Sequence, residues 1–181
     1  MRTICLSALF GILGMAATCR ADDWALEQST ITYFVVHPLH HVDGISHAAR
    51  GKGVCKKDRC DFLIGVPVKS FDSGDSNRDL HMLQATRGGD FPMVAVRTSF
   101  PEKSIGSTIV VDLEIQFAGR TVSYKQVQFQ RVDRGDQSLI TGTIPLKISD
   151  FKIVAPSLLA VPIKDDVPIK VETAWRKKLA S

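Results

Sequence analysis

Four of the five histidines fall within eleven residues, at His37, His40, His41 and His47. Imidazole is the commonest transition-metal ligand, so this cluster is the first candidate for chemistry. The spacing H-x2-H-H places two ligands side by side, and Asp43 is the only carboxylate between them. A metal-dependent enzyme built on His37–His47 is one reading. An exposed loop with no bound metal is the other, because no free cysteine or second carboxylate completes a ligand set. The fifth histidine, His81, follows Arg78 and Asp79. These three could act as an acid/base set. However, Ser76-Asn77-Arg78-Asp79 also matches the capping box S-x-x-D that opens a helix, and Arg78 is within reach of Asp72 or Asp75. Anchoring a loop and a helix is the simpler role. The chain has no G-x-S-x-G, no S-x-x-K with its partners and no H-E-x-x-H. Neither Gly51-Lys52-Gly53 nor Gly88-Gly89 precedes a helix as a phosphate loop must. No catalytic residue, metal ligand or cofactor is assigned, and the chain is read as non-enzymatic.

The four cysteines divide into two pairs. Cys5 and Cys19 lie in an N-terminal segment in which Arg2 precedes an apolar run, Ile4 to Ala17, of about 14 residues, the length of a signal-peptide core and short of a bilayer span. Cys19 and Ala21 suit the −3 and −1 positions of a cleavage site. Residues 1–21 therefore read as a Sec-type signal peptide, with the mature domain at 22–181 in the periplasm or secreted. An uncleaved anchor and a lipidated Cys19 are the alternatives. Cys55 and Cys60 remain, spaced C-x4-C. Zinc knuckles need C-x2-C and a second ligand pair, so in an oxidising compartment the pair reads as a disulfide across a hairpin turn.

Composition narrows the partners. The chain has 181 residues, 44% hydrophobic and 23% charged, which suits one globular core. The net charge is +4, and removing Arg2 and Arg20 leaves 21 basic against 19 acidic residues. A body so near neutral makes no case for nucleic acid. The basic tail Arg176-Lys177-Lys178 supports at most a peripheral membrane contact.

The elements that must position these residues are mostly strands. Period-two alternation runs through 29–36 (Ile31, Tyr33, Val35 on one face), 61–69 (Phe62, Ile64, Val66, Val68) and 93–100 (Val94, Val96, Thr98, Phe100). It is clearest in 108–117, where Ile109, Val111, Leu113, Ile115 and Phe117 oppose Asp112, Glu114 and Gln116. In 121–132 the phase slips between Tyr124 and Val127, which predicts a bulge. Further strands are predicted at 138–148 (Ile140, Ile144, Leu146, Ile148), 166–175 (Val167, Ile169, Val171, Trp175) and, more weakly, 44–54. One short helix is predicted at 77–87. About eight strands and one helix argue for a closed barrel or a sandwich. The inward set of an eight-stranded barrel either fills it or lines a tube for one ligand, and alternation does not choose between a filled interaction module and a tube.

Three blocks resemble the YceI-like family. Ser70-Phe71-Asp72-Ser73-Gly74-Asp75-Ser76-Asn77-Arg78-Asp79-Leu80-His81-Met82, followed by Phe91-Pro92, is similar to its central signature. Ser29–His37 with Val42-Asp43-Gly44 resembles its first strand and closing histidine. Gly142–Ile153, Pro156-Ser157-Leu158-Leu159 and Asp166-Val167 follow in the family's order. The resemblance spans 24–175. It departs at Gly88-Gly89-Asp90 and at the Cys55/Cys60 pair, which is not a general family feature. It implies an all-β, eight-stranded, antiparallel, lipocalin-like barrel with one short helix, exported and binding a polyisoprenoid chain or a similar amphiphile such as a quinone. Family crystal forms are often dimeric, which adds a homodimer as an expected assembly. The expected lining is Tyr33, Val35, Phe62, Ile64, Val94, Phe100, Leu113, Ile115, Phe117 and Ile144, with His37, Arg78 and His81 placed to meet a headgroup.

Overall fold

The computed structural model describes residues 22–37, 40–155, 157–158 and 161–178. Side chains are not described at 22, 37, 40, 157–158 and 161–162. The segment read as a signal peptide lies outside the described residues. The strands are β1 (Asp22–His37), β2 (His40–Ser46), β3 (Arg50–Lys56), β4 (Arg59–Pro67), β5 (Met93–Pro101), β6 (Thr108–Phe117), β7 (Arg120–Arg134), β8 (Gln137–Ile144), β9 (Ser157–Leu158), β10 (Val161–Pro162) and β11 (Ile169–Lys178). Helix α1 (Ser76–Ala85) lies between β4 and β5. Antiparallel pairing runs β11-β8-β7-β6-β5-β4-β3-β1, and β11 closes back on β1. The result is a closed eight-stranded barrel, with β2 added beside β1 as a ninth strand of the sheet. β2 pairs along the second half of β1, and β3 along its first four residues, Asp22–Ala25. The weak strand expected at 44–54 is therefore two strands, because the chain turns from the outer half of β1 to its inner half at 47–49.

β6 shows why the fold is legible. Its even-phase residues are exposed, and Ile109, Val111, Leu113 and Ile115 are buried. The bulge expected in β7 is present: the β6–β7 register shifts between Val111 and Leu113, which pair with Val127 and Tyr124. Gln126 takes a φ of 55°. The Asp112 carboxylate accepts from the Gln126 N–H (3.0 Å) and from Lys125 Nζ (2.9 Å), which satisfies the extra residue.

Four expectations need correction. The strand predicted at 138–148 ends at Ile144, since Pro145 has no N–H to continue the ladder. Leu146 and Ile148 are buried beyond the strand's end, where an isolated antiparallel bridge joins Lys147 to Asp166. The strand predicted from 166 begins at Ile169, after Pro168, for the same reason. The helix starts at Ser76, and its N-cap is Asp75 rather than Ser76: the Asp75 carboxylate accepts from the backbone N–H of Asn77 (2.9 Å) and Arg78 (3.0 Å). Asp79 turns outward from the helix instead of closing a capping box, accepting from the Ser73 N–H (3.1 Å). Arg78 forms no ion pair with Asp72 or Asp75. It donates to Ser73 through Nε–Oγ (3.3 Å) and Nη2–O (2.8 Å).

The barrel has two unlike ends. At the helix end lie α1, the β1–β2 and β6–β7 turns, and the long connection between β8 and β11. At the hairpin end lie the β3–β4 turn, the β5–β6 connection at 102–107, the β7–β8 turn and the chain's two described termini. Cys55 and Cys60 are directly opposed in the β3–β4 hairpin, both buried, and joined by a disulfide with Cα atoms 4.0 Å apart. Lys57 and Asp58 both adopt positive φ, 52° and 64°, as a tight two-residue hairpin turn requires.

Candidate functional site

The inward residues do not fill the barrel. They enclose a cavity of about 570 Å³, which overturns the filled-barrel alternative that alternation had left open. The lining is almost wholly aliphatic and aromatic. Tyr33 and Val35 of β1, Phe62 and Ile64 of β4, and Val94 and Phe100 of β5 all reach it. So do Leu113, Ile115 and Phe117 of β6 and Ile144 of β8. Every residue expected to line the interior faces this space, because period two on a half-buried strand assigns a face without reference to the partner strand.

Each end has its own furnishing. At the helix end Phe151 is 2% exposed, with its ring 5.4 Å from Phe117 and 6.4 Å from Tyr124. The Tyr124 hydroxyl donates to Asp150 (2.9 Å), and the Ser149 hydroxyl and N–H both donate to Asp165 (2.7 and 2.8 Å). These bonds fold the β8–β11 connection inward over the barrel. Burial of the phenol pushes the Tyr124 pKa up to about 12. Burial likewise raises that of Tyr33, whose ring lies against Gly44, where no Cβ would fit. Arg78 and His81 of α1 reach the cavity from its rim while remaining exposed. The side chain of His37, the third expected headgroup contact, lies outside the described residues. At the hairpin end the Phe62 ring stands edge-on to Trp175 (5.2 Å) and stacks on Phe100 (5.7 Å), beside the disulfide.

Of the four clustered histidines, the side chains of His41 and His47 are described. His41 is exposed on β2, and His47 hydrogen-bonds through Nδ1 to the Ser29 carbonyl (3.0 Å) and Thr30 Oγ1 (3.2 Å). The side chain of His40 is undescribed. Among the described residues no three His, Cys, Asp or Glu side chains group closely enough to hold a metal. The segment expected as a loop contributes backbone to two paired strands, with His37 opposite His40 and Val36 opposite His41.

Sequence reading missed four polar residues that reach the cavity, Thr86, Arg131, Ser138 and Thr173, and one of them is charged. The signal was present on β7. Past the bulge the inward phase reads Val127, Phe129, Arg131, so an arginine occupies an apolar position.

No family model matches the chain, and no curated protein does. Solved structures do. The barrel superposes on BcnA from Burkholderia cenocepacia with a TM-score of 0.69 at 16% identity, over 81% of this chain and 95% of that one. It superposes on a polyisoprenoid-binding domain from Saccharophagus degradans with a TM-score of 0.69 at 10% identity, over 86% and 98%. A YceI protein from Campylobacter jejuni matches with a TM-score of 0.55 at 13% identity, over 99% and 100%. The fold is that of the YceI proteins. At such low identity the YceI-like barrel is shared as an architecture.

Proposed function

We propose that this YceI-like barrel is an exported, non-enzymatic carrier that holds a polyisoprenoid, a quinone or a similar amphiphile in its interior. The observation that carries the reading is the cavity of about 570 Å³ walled by Val, Ile, Leu, Phe and Trp. A dry 150 Å³ cavity accepts one benzene, so this one accepts roughly 20–25 carbon atoms, or four to five isoprene units. Each methylene removed from water contributes about 0.8 kcal/mol. A chain of that length exceeds the roughly 4–15 kcal/mol lost on association. The neighbour from Saccharophagus degradans, a polyisoprenoid-binding domain, supports the same class of ligand.

Passage of the chain belongs to the helix end. Helix α1 buries none of its residues, and a surface element with few buried contacts opens at low cost. The Cys55–Cys60 bond supports export, since such bonds persist in oxidising compartments. A cleaved segment 1–21 would deliver the chain there. The test is to express the precursor in a bacterial host, purify mature protein from the periplasm and analyse it by native and then organic-extract mass spectrometry. A stoichiometric long-chain isoprenoid or quinone is expected, with the mature N-terminus at Asp22. A protein that emerges empty, and stays empty when offered polyprenyl lipids, sinks the carrier reading.

A further inference from the structure

The cavity carries charge of one sign. Among the described residues Arg78 and Arg131 reach it, and no aspartate or glutamate does. The two arginines sit at opposite ends. Arg78 is exposed at the helix end, and Ser73 occupies its Nε and Nη2. Arg131 points into the barrel near the hairpin end from an inward position of β7, paired across the sheet with inward Ile140. Its side chain is 20% exposed.

Its hydrogen bonds are lopsided. Nε donates to Asp133 Oδ1 (2.9 Å) and to Ser138 Oγ (3.3 Å), and the Ser138 hydroxyl donates to the same Asp133 oxygen (2.6 Å). The two Nη groups make no hydrogen bond among the described residues. Asp133 and Ser138 therefore fix the plane of the guanidinium by one edge and leave its terminal fork unspent. Such a fork matches a carboxylate in two parallel bonds. The threonines on the lining are already satisfied within the protein: Thr98 donates to the Asp112 carbonyl (2.8 Å), Thr86 to the Met82 carbonyl (2.7 Å) and Thr173 to the Ile140 carbonyl (3.3 Å). The indole N–H of Trp24, a neutral donor, is buried on the same lining without a partner among the described residues.

We propose that Arg131, held by Asp133 and Ser138, is a second, inner polar station that binds the carboxylate of an acid-headed amphiphile lying along the tube. The assignment rests on the carrier reading and adds the headgroup chemistry to it. A carboxylic acid suits the route from the helix end better than a phosphate. It can cross the apolar interior protonated and neutral, then ionise beside the guanidinium, whereas a phosphate would have to cross charged.

The experiment compares geranylgeranoic acid with geranylgeraniol, the same chain as a neutral alcohol, by titration into delipidated wild-type protein and into Arg131→Gln, Asp133→Asn and Arg78→Gln. Wild type is expected to prefer the acid by about tenfold, the worth of a charge-assisted hydrogen bond. Arg131→Gln should lose that preference while binding the alcohol within about twofold of wild type, which also shows that the variant is folded. Asp133→Asn should strengthen acid binding by removing a competing carboxylate, and a merely structural trio would instead weaken both ligands in both variants. Arg78→Gln should keep the preference. Acetate in large excess should weaken binding of the acid alone; if it weakens the alcohol equally, the effect does not lie at a carboxylate station and the assignment is overturned. Equal binding of acid and alcohol, or a preference that follows Arg78, also overturns it and leaves the carrier reading standing. If neither ligand binds, both readings fall together.

Discussion

The two ends of the barrel are closed by different physics. The hairpin end is covalent and short-range: the Cys55–Cys60 bond spans a two-residue turn, and Phe62, Phe100 and Trp175 pack beside it. The helix end is built from long connections held by side chains: Phe151 against Phe117 and Tyr124, Tyr124 to Asp150, Ser149 to Asp165, and the Asp75 cap on α1. A covalent turn opens only when the barrel itself opens. A set of side-chain contacts opens one piece at a time. The difference teaches that a closed barrel can keep a rigid wall and still exchange a ligand, provided the fragile contacts are gathered at one end.

The largest effect should come from the plug of the helix end. Phe151→Ala removes a fully enclosed ring and should cost about 3–5 kcal/mol, read as a lowered midpoint in urea unfolding. A loss near zero would mean that the β8–β11 connection does not hold that end shut. Next, replacing both Cys55 and Cys60 by alanine should cost roughly 2–3 kcal/mol, as a short closed loop allows. It should leave ligand exchange unchanged, and faster exchange in this variant would break the assignment of passage to the helix end.

A third, smaller effect is alkaline. The chain has two tyrosines, and burial raises the pKa of both Tyr33 and Tyr124, the latter to about 12. A raised phenol contributes stability in full below its unfolded value near 10 and loses it as pH rises through the folded value. Absorbance titration should therefore show little phenolate at pH 10 in the native protein and its ordinary appearance in urea. Native phenolate at the ordinary pH would mean that the helix end is already open. The smallest effect is acidic. The carboxylates of Asp75, Asp112 and Asp165 lie below their usual 3.8, held down by the Arg78 N–H, by Lys125 and by the Ser149 hydroxyl respectively. Their contribution is complete above the unfolded value and fades as pH falls through the depressed ones. Asp75→Ala should lower Tm slightly at pH 7 and flatten that acid limb, as a melting series from neutral to strongly acid pH would record.

Much of this was readable in advance where one local rule acts alone. β6 announces its inner face residue by residue, and the slip between Tyr124 and Val127 announces the bulge that Asp112 clasps. The helix was visible, but its cap was assigned one residue late, because Asp75 and Ser76 both suit a cap and only the backbone decides. Strand ends were misplaced at Leu146, Ile148 and Val167, which alternate because they are buried while Pro145 and Pro168 have already ended the ladders. Arg131 was passed over because its neighbours along the strand announce only an apolar phase.

The sequence by itself determined the all-β barrel class, the inward face of the clearly alternating strands, the Cys55–Cys60 hairpin and the resemblance to YceI-like proteins, since each depends on residues near one another along the chain. Only the tertiary structure decided that the inward faces leave a cavity of about 570 Å³ instead of a filled core. It also placed Arg131 on the cavity wall with its Nε held by Asp133 and Ser138. These outcomes depend on strand tilt, closure and cross-barrel distance, which no stretch of chain carries within itself.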